Sequence, residues 1–288
     1  MAPVPDWFAK DSITRQVFQK TNTKAVFSLI KAVFLSKLCA MGYVFDFNDA
    51  KDYDQWFNNT QNRFAADLES RLMVEMLSPM RGEALLDIGC GTGASLLPFM
   101  EKGLNVTGLD PSPYMLDITL KNLGNRVDLY RGFAEDLPFD DNSFNYACLV
   151  TTLEFVDDPR KAIEEACRVA KDRIFIGVLN RYAIKGIERR VRGIFTKTIF
   201  NHAKFFSVWE IKQIIKASLG PVPVSWRTVC QLPVKSVKFT HRVEQSRFIQ
   251  RFPFGAFAGI VVSLVPRFRT RPLAMKYRRK HTVSTAPG

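Results

Sequence analysis

The chain predicts an α/β fold, a doubly wound and mostly parallel sheet whose last strand runs antiparallel, and three observations carry that prediction. Leu85-Leu86-Asp87-Ile88 is an apolar run that breaks into Gly89-Cys90-Gly91-Thr92-Gly93. Asn105-Val106-Thr107-Gly108-Leu109-Asp110 is a second run that ends in a carboxylate. Further short apolar runs follow, separated by stretches with helix-start signals, as expected of strands joined by crossover helices.

Taken in order, Leu85, Leu86 and Ile88 read as a buried parallel strand, and the three glycines mark a turn that passes close to a ligand or takes positive φ without a Cβ penalty. Residues 94–102 are compatible with a helix, and Asn105–Asp110 with the second strand. Asp110-Pro111-Ser112-Pro113-Tyr114-Met115-Leu116 opens the next helix. After a third strand and a loop from Gly132 to Phe139, residues 145–152 form the fourth strand. Asp157-Asp158-Pro159-Arg160 starts a helix with proline and acids in its first turn. Residues 172–179 supply the fifth strand. Ser207-Val208-Trp209-Glu210 is a capping box with Gly220 as its helix stop, and residues 226–231 and 256–264 read as the last two strands.

The glycine spacing selects among small-molecule cradles. A dinucleotide fold uses G-x-G-x-x-G with pyrophosphate on the helix N-terminus, whereas here the third glycine comes one residue early. Asp87 stands two residues before the first glycine, and a carboxylate there suits a cationic amine better than a pyrophosphate. Asp110 falls where doubly wound folds place a ribose-binding acid.

This pattern resembles the class I S-adenosylmethionine-dependent methyltransferases, and is nearest to the type 11 group that includes ubiquinone and menaquinone biosynthesis enzymes. The resemblance spans about residues 50–265. It implies a Rossmann-like, seven-stranded sheet and S-adenosylmethionine as cofactor. Asp87, Gly89, Cys90, Gly91 and Gly93 would hold its methionine end, and Asp110 and Pro111 its ribose. Met115 or Leu116 is placed against the adenosine, with ordinary helix core as the alternative for Met115. Gly132-Phe133-Ala134-Glu135-Asp136-Leu137-Pro138-Phe139 is similar to the family's adenine loop, where Phe133 replaces the usual acid. Phe133 could lie on the adenine face, while Ala134 N–H and Glu135 serve its edge. Thr151 joins the cofactor set at the end of the fourth strand. Tyr53-Asp54-Gln55-Trp56-Phe57, followed by Glu69, resembles an element that closes over the cofactor; Tyr53 and Trp56 could equally pack a helix on the sheet.

The domain organisation expected is a helical N-terminal lid over 1–50, a methyltransferase domain over 51–265 with a helical substrate-cap insert at 181–206, and a basic tail over 266–288. Within the insert, Ile184, Ile187, Val191 and Ile194 share a helical face, with Lys185, Arg189, Arg190 and Arg192 around them. The 47% hydrophobic content is ample for a core. The five cysteines have no C-x-x-C spacing, so neither a disulfide frame nor a metal site is indicated. A cytoplasmic compartment fits, since Asp6 and Asp11 interrupt any signal-like N-terminus. Residues 181–288 carry a net charge of +19 and the preceding 180 residues −6, within a total of +13. That asymmetry suits an anionic partner or a merely solvated basic face.

The function expected is methyl transfer from S-adenosylmethionine to a small organic acceptor, lipid-like or aromatic, with peripheral membrane contact as an added reading. The alternative is an RNA methyltransferase using the basic half; nucleic acid is compatible but not favoured. A non-catalytic cofactor-binding protein fits the intact acid-and-glycine set poorly. Thr151-Thr152-Leu153-Glu154 replaces an (Asp/Asn/Ser)-Pro-Pro-(Tyr/Phe) motif, which argues against exocyclic-amine methylation of bases. Candidate bases are Glu154, His202 and His241.

Overall fold

The computed structural model describes residues 42–56, 60–183, 203–231, 244 and 246–264. Helices α1 (Phe47–Trp56) and α2 (Thr60–Leu77) precede β1 (Ala84–Ile88). A short α3 (Leu97–Glu101) leads to β2 (Asn105–Asp110), then α4 (Pro113–Leu123) to β3 (Asp128–Arg131). Next come β4 (Phe144–Val150), α5 (Pro159–Val169), β5 (Ala170–Leu179), α6 (Val208–Leu219), β6 (Val224–Val229) and β7 (Phe257–Ser263). They form a seven-stranded sheet in the order β3-β2-β1-β4-β5-β7-β6. β7 runs antiparallel to both β5 and β6, while β1 to β5 pair in parallel.

This order places a switch point between β1 and β4. Connections leave in opposite directions there, so a crevice opens at the carboxyl ends of the strands. Leu85, Leu86, Ile88, Ala147, Cys148, Leu149, Ile174, Phe175 and Ile176 are all buried, as expected of strands covered on both faces. α5 places Ala162, Ile163, Ala166 and Val169 against one face of the sheet, whereas Leu68, Leu72 and Leu77 of α2 pack on the other.

Several expected boundaries move for local reasons. The 94–102 helix shrinks to Leu97–Glu101, because residues 93–96 are spent on tight turns closed by Gly93 N–H to Cys90 O and Leu96 N–H to Gly93 O. The fourth strand stops at Val150, not residue 152, because Thr151 takes φ +52° and turns the chain out of the sheet. Residue 50 lies inside α1, so a boundary between 50 and 51 would cut a helix. The capping box is complete: Ser207 Oγ accepts from Glu210 N–H and the Glu210 carboxylate accepts from Ser207 N–H. Asp158 caps α5 with Pro159 at its first position. Most of the insert, residues 184–202, and the tail from 265 on lie outside the described residues, as do His202, His241 and the apolar stripe beginning at Ile184.

Both ends of the insert are fixed together. Arg181 N–H donates to Phe206 O at 2.9 Å, and the Arg181 guanidinium pairs with Glu210 at 2.5 Å while also reaching Phe205 O. Lys204 N–H donates to Glu154 O, and its ammonium reaches Val156 O and Asp157 O. The excursion therefore leaves and re-enters the fold at the crevice end of β4 and β5.

Candidate cofactor and acceptor site

The crevice holds a cavity of about 250 Å³. Its floor is the glycine turn. Gly89 and Cys90 both donate to Leu109 O, Thr152 Oγ1 donates to Ile88 O, and Thr119 Oγ1 donates to Gly91 O at 2.6 Å, so the turn and the end of β1 are tied to β2, to the loop after β4 and to α4 at once. All three glycines have positive φ. They are not equivalent. A Cβ on Gly93 would sit 2.8 Å from Thr119 Cγ2, and one on Gly89 would meet Thr152 at 2.5 Å, so those two positions serve packing. A Cβ on Gly91 would meet only Tyr53 Cε1, at 3.9 Å, across open cavity.

Two carboxylates stand at this turn: Asp110 lines the cavity, whereas Asp87 lies beneath the lining and meets it through Ser95. Asp87 is fully buried; its Oδ2 accepts from Ser95 Oγ at 2.5 Å, while Oδ1 has no hydrogen-bond partner among the described residues. Burial pushes its carboxyl up to about 7, with the Ser95 hydrogen bond opposing the rise and the Asp110 charge adding to it. An orphaned carboxylate oxygen in a dry site costs free energy unless a donor arrives. The residues present therefore fit a ligand that brings a cationic or N–H donor to this point. Asp110 accepts from Ser112 N–H at 2.9 Å and from Gly91 N–H at 3.0 Å, and burial raises its carboxyl to about 6 against those two bonds. Its second lone pairs remain available to hydroxyl donors.

The remaining residues named from sequence are partly gathered here. Cys90, Pro111, Met115, Phe133, Ala134, Glu135, Thr151 and Tyr53 all line the cavity. Glu135 Oε1 already accepts from Asp157 N–H at 3.0 Å, which ties the loop after β3 to the start of α5. Tyr53 hydrogen-bonds with Thr151, and burial pushes its phenol up to about 12 against that bond. Trp56 ends α1. Glu154 is apart from this set: it is buried behind the cavity wall, with Oε1 accepting Leu179 N–H at 2.6 Å. Burial raises its carboxyl to about 8, opposed by that N–H and by a backbone bond of its own, with the charge of Glu69 adding to the rise.

Sequence patterns did not point to the aromatic strap over the crevice. Tyr43 N–H donates to Phe155 O at 2.8 Å and Ser112 Oγ donates to Phe45 O at 2.7 Å, which lays residues 43–45 across the mouth. The Phe45 ring meets Phe155 at 4.9 Å and Tyr53 at 6.0 Å, both edge to face. The only local signal was the aromatic density of Tyr43-Val44-Phe45 just before α1. Ala66, Met73, Leu179 and Phe257 add a mostly apolar end to the cavity, with Glu69 and Ser70 of α2 as the polar groups beside them.

Comparison with known proteins agrees with this architecture. A family profile described as a methyltransferase domain matches residues 86–175. An uncharacterized protein of Methanocaldococcus jannaschii is 35% identical over 172 residues, covering 58% of this chain and 76% of that protein. A demethylmenaquinone methyltransferase of Renibacterium salmoninarum is 38% identical over 101 residues, and the match covers 35% of this chain and only 42% of that relative. The solved structure of an S-adenosylmethionine-dependent methyltransferase from Thermotoga maritima, described as a possible histamine N-methyltransferase, superposes with a TM-score of 0.59 at 28% identity over 75% of this chain and 96% of that one. The chain belongs to the class I S-adenosylmethionine-dependent methyltransferases, in their type 11 family. It is a methyltransferase enzyme, and S-adenosylmethionine is its cofactor.

Proposed function

We propose that the acceptor is a small organic molecule, lipid-like or aromatic, and that it enters the apolar end of the cavity. The observation that carries this reading is the apolar lining of Met73, Leu179 and Phe257 with Phe155 at the mouth, which offers dispersion contacts beside the polar Glu69 and Ser70. We assign Asp87 Oδ1 to the cofactor's amino group and Asp110 to its ribose hydroxyls. Gly91 gives the methionine end close backbone approach in a turn formed with Gly89, Cys90 and Gly93, the glycines of which pack it in place; Pro111 and Met115 flank the adenosine, Phe133, Ala134 and Glu135 frame the adenine, and Thr151 closes the wall.

When bound, the cofactor supplies a methyl made electrophilic by positive sulfur. The protein's own share is orientation and exclusion of water, and orientation alone can lower a barrier by roughly 7–11 kcal/mol. Tyr53 and Trp56 act as lid residues in this reading, together with the segment 1–50 and the cap 181–206, while 266–288 is a basic tail outside the domain 51–265. Glu154 has a carboxyl suited to proton uptake near neutral pH, but its place behind the wall favours a role in holding the end of β5. A reading as an RNA methyltransferase is favoured only by the +19 charge of residues 181–288.

Transfer of labelled methyl from S-adenosylmethionine into fractionated lipid, small-molecule and RNA extracts tests the assignment. Label is expected in the apolar small-molecule or lipid fraction. Label in RNA, with activity falling steeply as salt rises, would overturn it.

A further inference from the structure

The loop before β7 reads Ser246-Arg247-Phe248-Ile249-Gln250-Arg251-Phe252-Pro253-Phe254, and it presents its phenylalanines to solvent. Phe248 is 72% exposed, Phe254 53% and Phe252 42%, and Phe248 meets Phe252 edge to face at 5.3 Å. Arg247 and Arg251 are exposed beside them. The loop is held from within. Gln250 is buried and its amide donates to Glu244 O, while the Asn180 amide donates to both Pro253 O and Gly255 O. The core of the loop is thus anchored to the end of β5, and its aromatic tips are displayed by a rigid base rather than left over from poor packing.

We infer that this loop docks the enzyme onto an anionic phospholipid surface. Exposed apolar clusters of this kind mark interaction sites, and phenylalanines interleaved with arginines suit the boundary between headgroups and acyl chains. Charge narrows the occupant. From Ser246 to Gly288 the chain holds nine lysines and arginines and no aspartate or glutamate, so nothing in this stretch repels an anionic headgroup. A single-stranded nucleic acid would need a basic groove with flat stacking platforms, whereas these rings stand edge to face.

The position of the loop fits the chemistry. Three residues after Phe254 the chain contributes Phe257 to the cavity, and Leu179, next to the anchoring Asn180, lines it as well. A second aromatic pair, Tyr182 and Trp209, is about half exposed, and Tyr182 N–H donates to Oδ1 of the same Asn180. Docking by this face would bring the apolar end of the cavity close to the bilayer, where a poorly soluble acceptor is concentrated.

The test is co-sedimentation of the full chain with vesicles of phosphatidylcholine alone and of phosphatidylcholine mixed with phosphatidylserine. It needs no acceptor and no turnover, so its failure is distinct from failure of the acceptor assignment. The wild type should bind the mixed vesicles. Phe248→Ser with Phe254→Ser should weaken partitioning by about tenfold or more per phenylalanine while keeping cofactor affinity, which reports a folded protein. Arg247→Gln with Arg251→Gln should erase the preference for phosphatidylserine. Absence of vesicle binding by the wild type, or undiminished binding by the double phenylalanine variant, would overturn the inference. So would a dimer that the phenylalanine substitutions dissociate, or RNA binding they abolish, without any effect on vesicles.

Discussion

At Asp110 one carboxylate braces a turn and, in the reading proposed above, also holds the ribose. The ribose role is a proposal from its spacing to Gly89, whereas the hydrogen bond from Gly91 N–H, 3.0 Å long, makes it the brace of the glycine turn. Asp110→Ala is expected to weaken S-adenosylmethionine by roughly tenfold to a hundredfold, the range for a bond to a charged group. It should also lower unfolding free energy by about 1–3 kcal/mol, because a buried N–H is orphaned. Calorimetry and urea denaturation read the two effects separately, and unchanged affinity would remove Asp110 from the cofactor site. Gly91→Val should abolish binding while leaving a folded circular dichroism spectrum, since its side chain would enter open cavity at the strain cost of φ +52°. Gly93→Val should damage the fold itself, because Thr119 and Leu123 already occupy that space.

Glu154 gives a pH dependence with a definite sign. Its folded pKa of about 8 lies above its ordinary value of 4.5, so the fold holds the proton more tightly than the unfolded chain does. The stability this group contributes is fully present below about 4.5 and is lost as pH rises through about 8. Glu154→Gln should therefore flatten the decline in melting temperature between those limits, as read by thermal unfolding across the range. A wild-type slope that the substitution leaves unchanged would mean that Glu154 is not the titrating group.

Among the elements, legibility followed locality. β1, the glycine turn, β2, the α5 cap and the α6 capping box were readable because each is specified by residues within a few positions of one another. Ser207→Ala should cost about 1 kcal/mol in urea denaturation, as loss of an N-cap does. A variant as stable as the wild type would show that the Arg181–Glu210 pair alone holds this helix start. The aromatic strap was not readable, because Phe45 and Phe155 meet only after the sheet is assembled. The contribution of Phe257 to the cavity depends on strand order, which no local pattern encodes. The β4 end point was missed for a related reason: the positive φ of Thr151 is imposed by tertiary bonds, its N–H donating to Gly177 O at 2.8 Å, and not by the residue's own preference.

For the whole molecule, the described residues include no helix long and apolar enough to cross a membrane. The closed base of the 181–206 excursion has a further consequence. Arg181 and Phe206 are bonded to each other, Lys204 is bonded to the loop after β4, and Glu210 secures Arg181 from α6. What lies between can change length at little entropic expense, since each doubling of a closed loop adds only about 0.6 kcal/mol. Replacing 184–202 with a short glycine-serine linker should leave the melting temperature and S-adenosylmethionine affinity near wild type while changing which acceptors are methylated. Loss of folding or of cofactor binding would show that the segment belongs to the core. If that outcome holds, the closed base is a socket that can accept a different plug, and acceptor preference could be changed without solving the folding problem again.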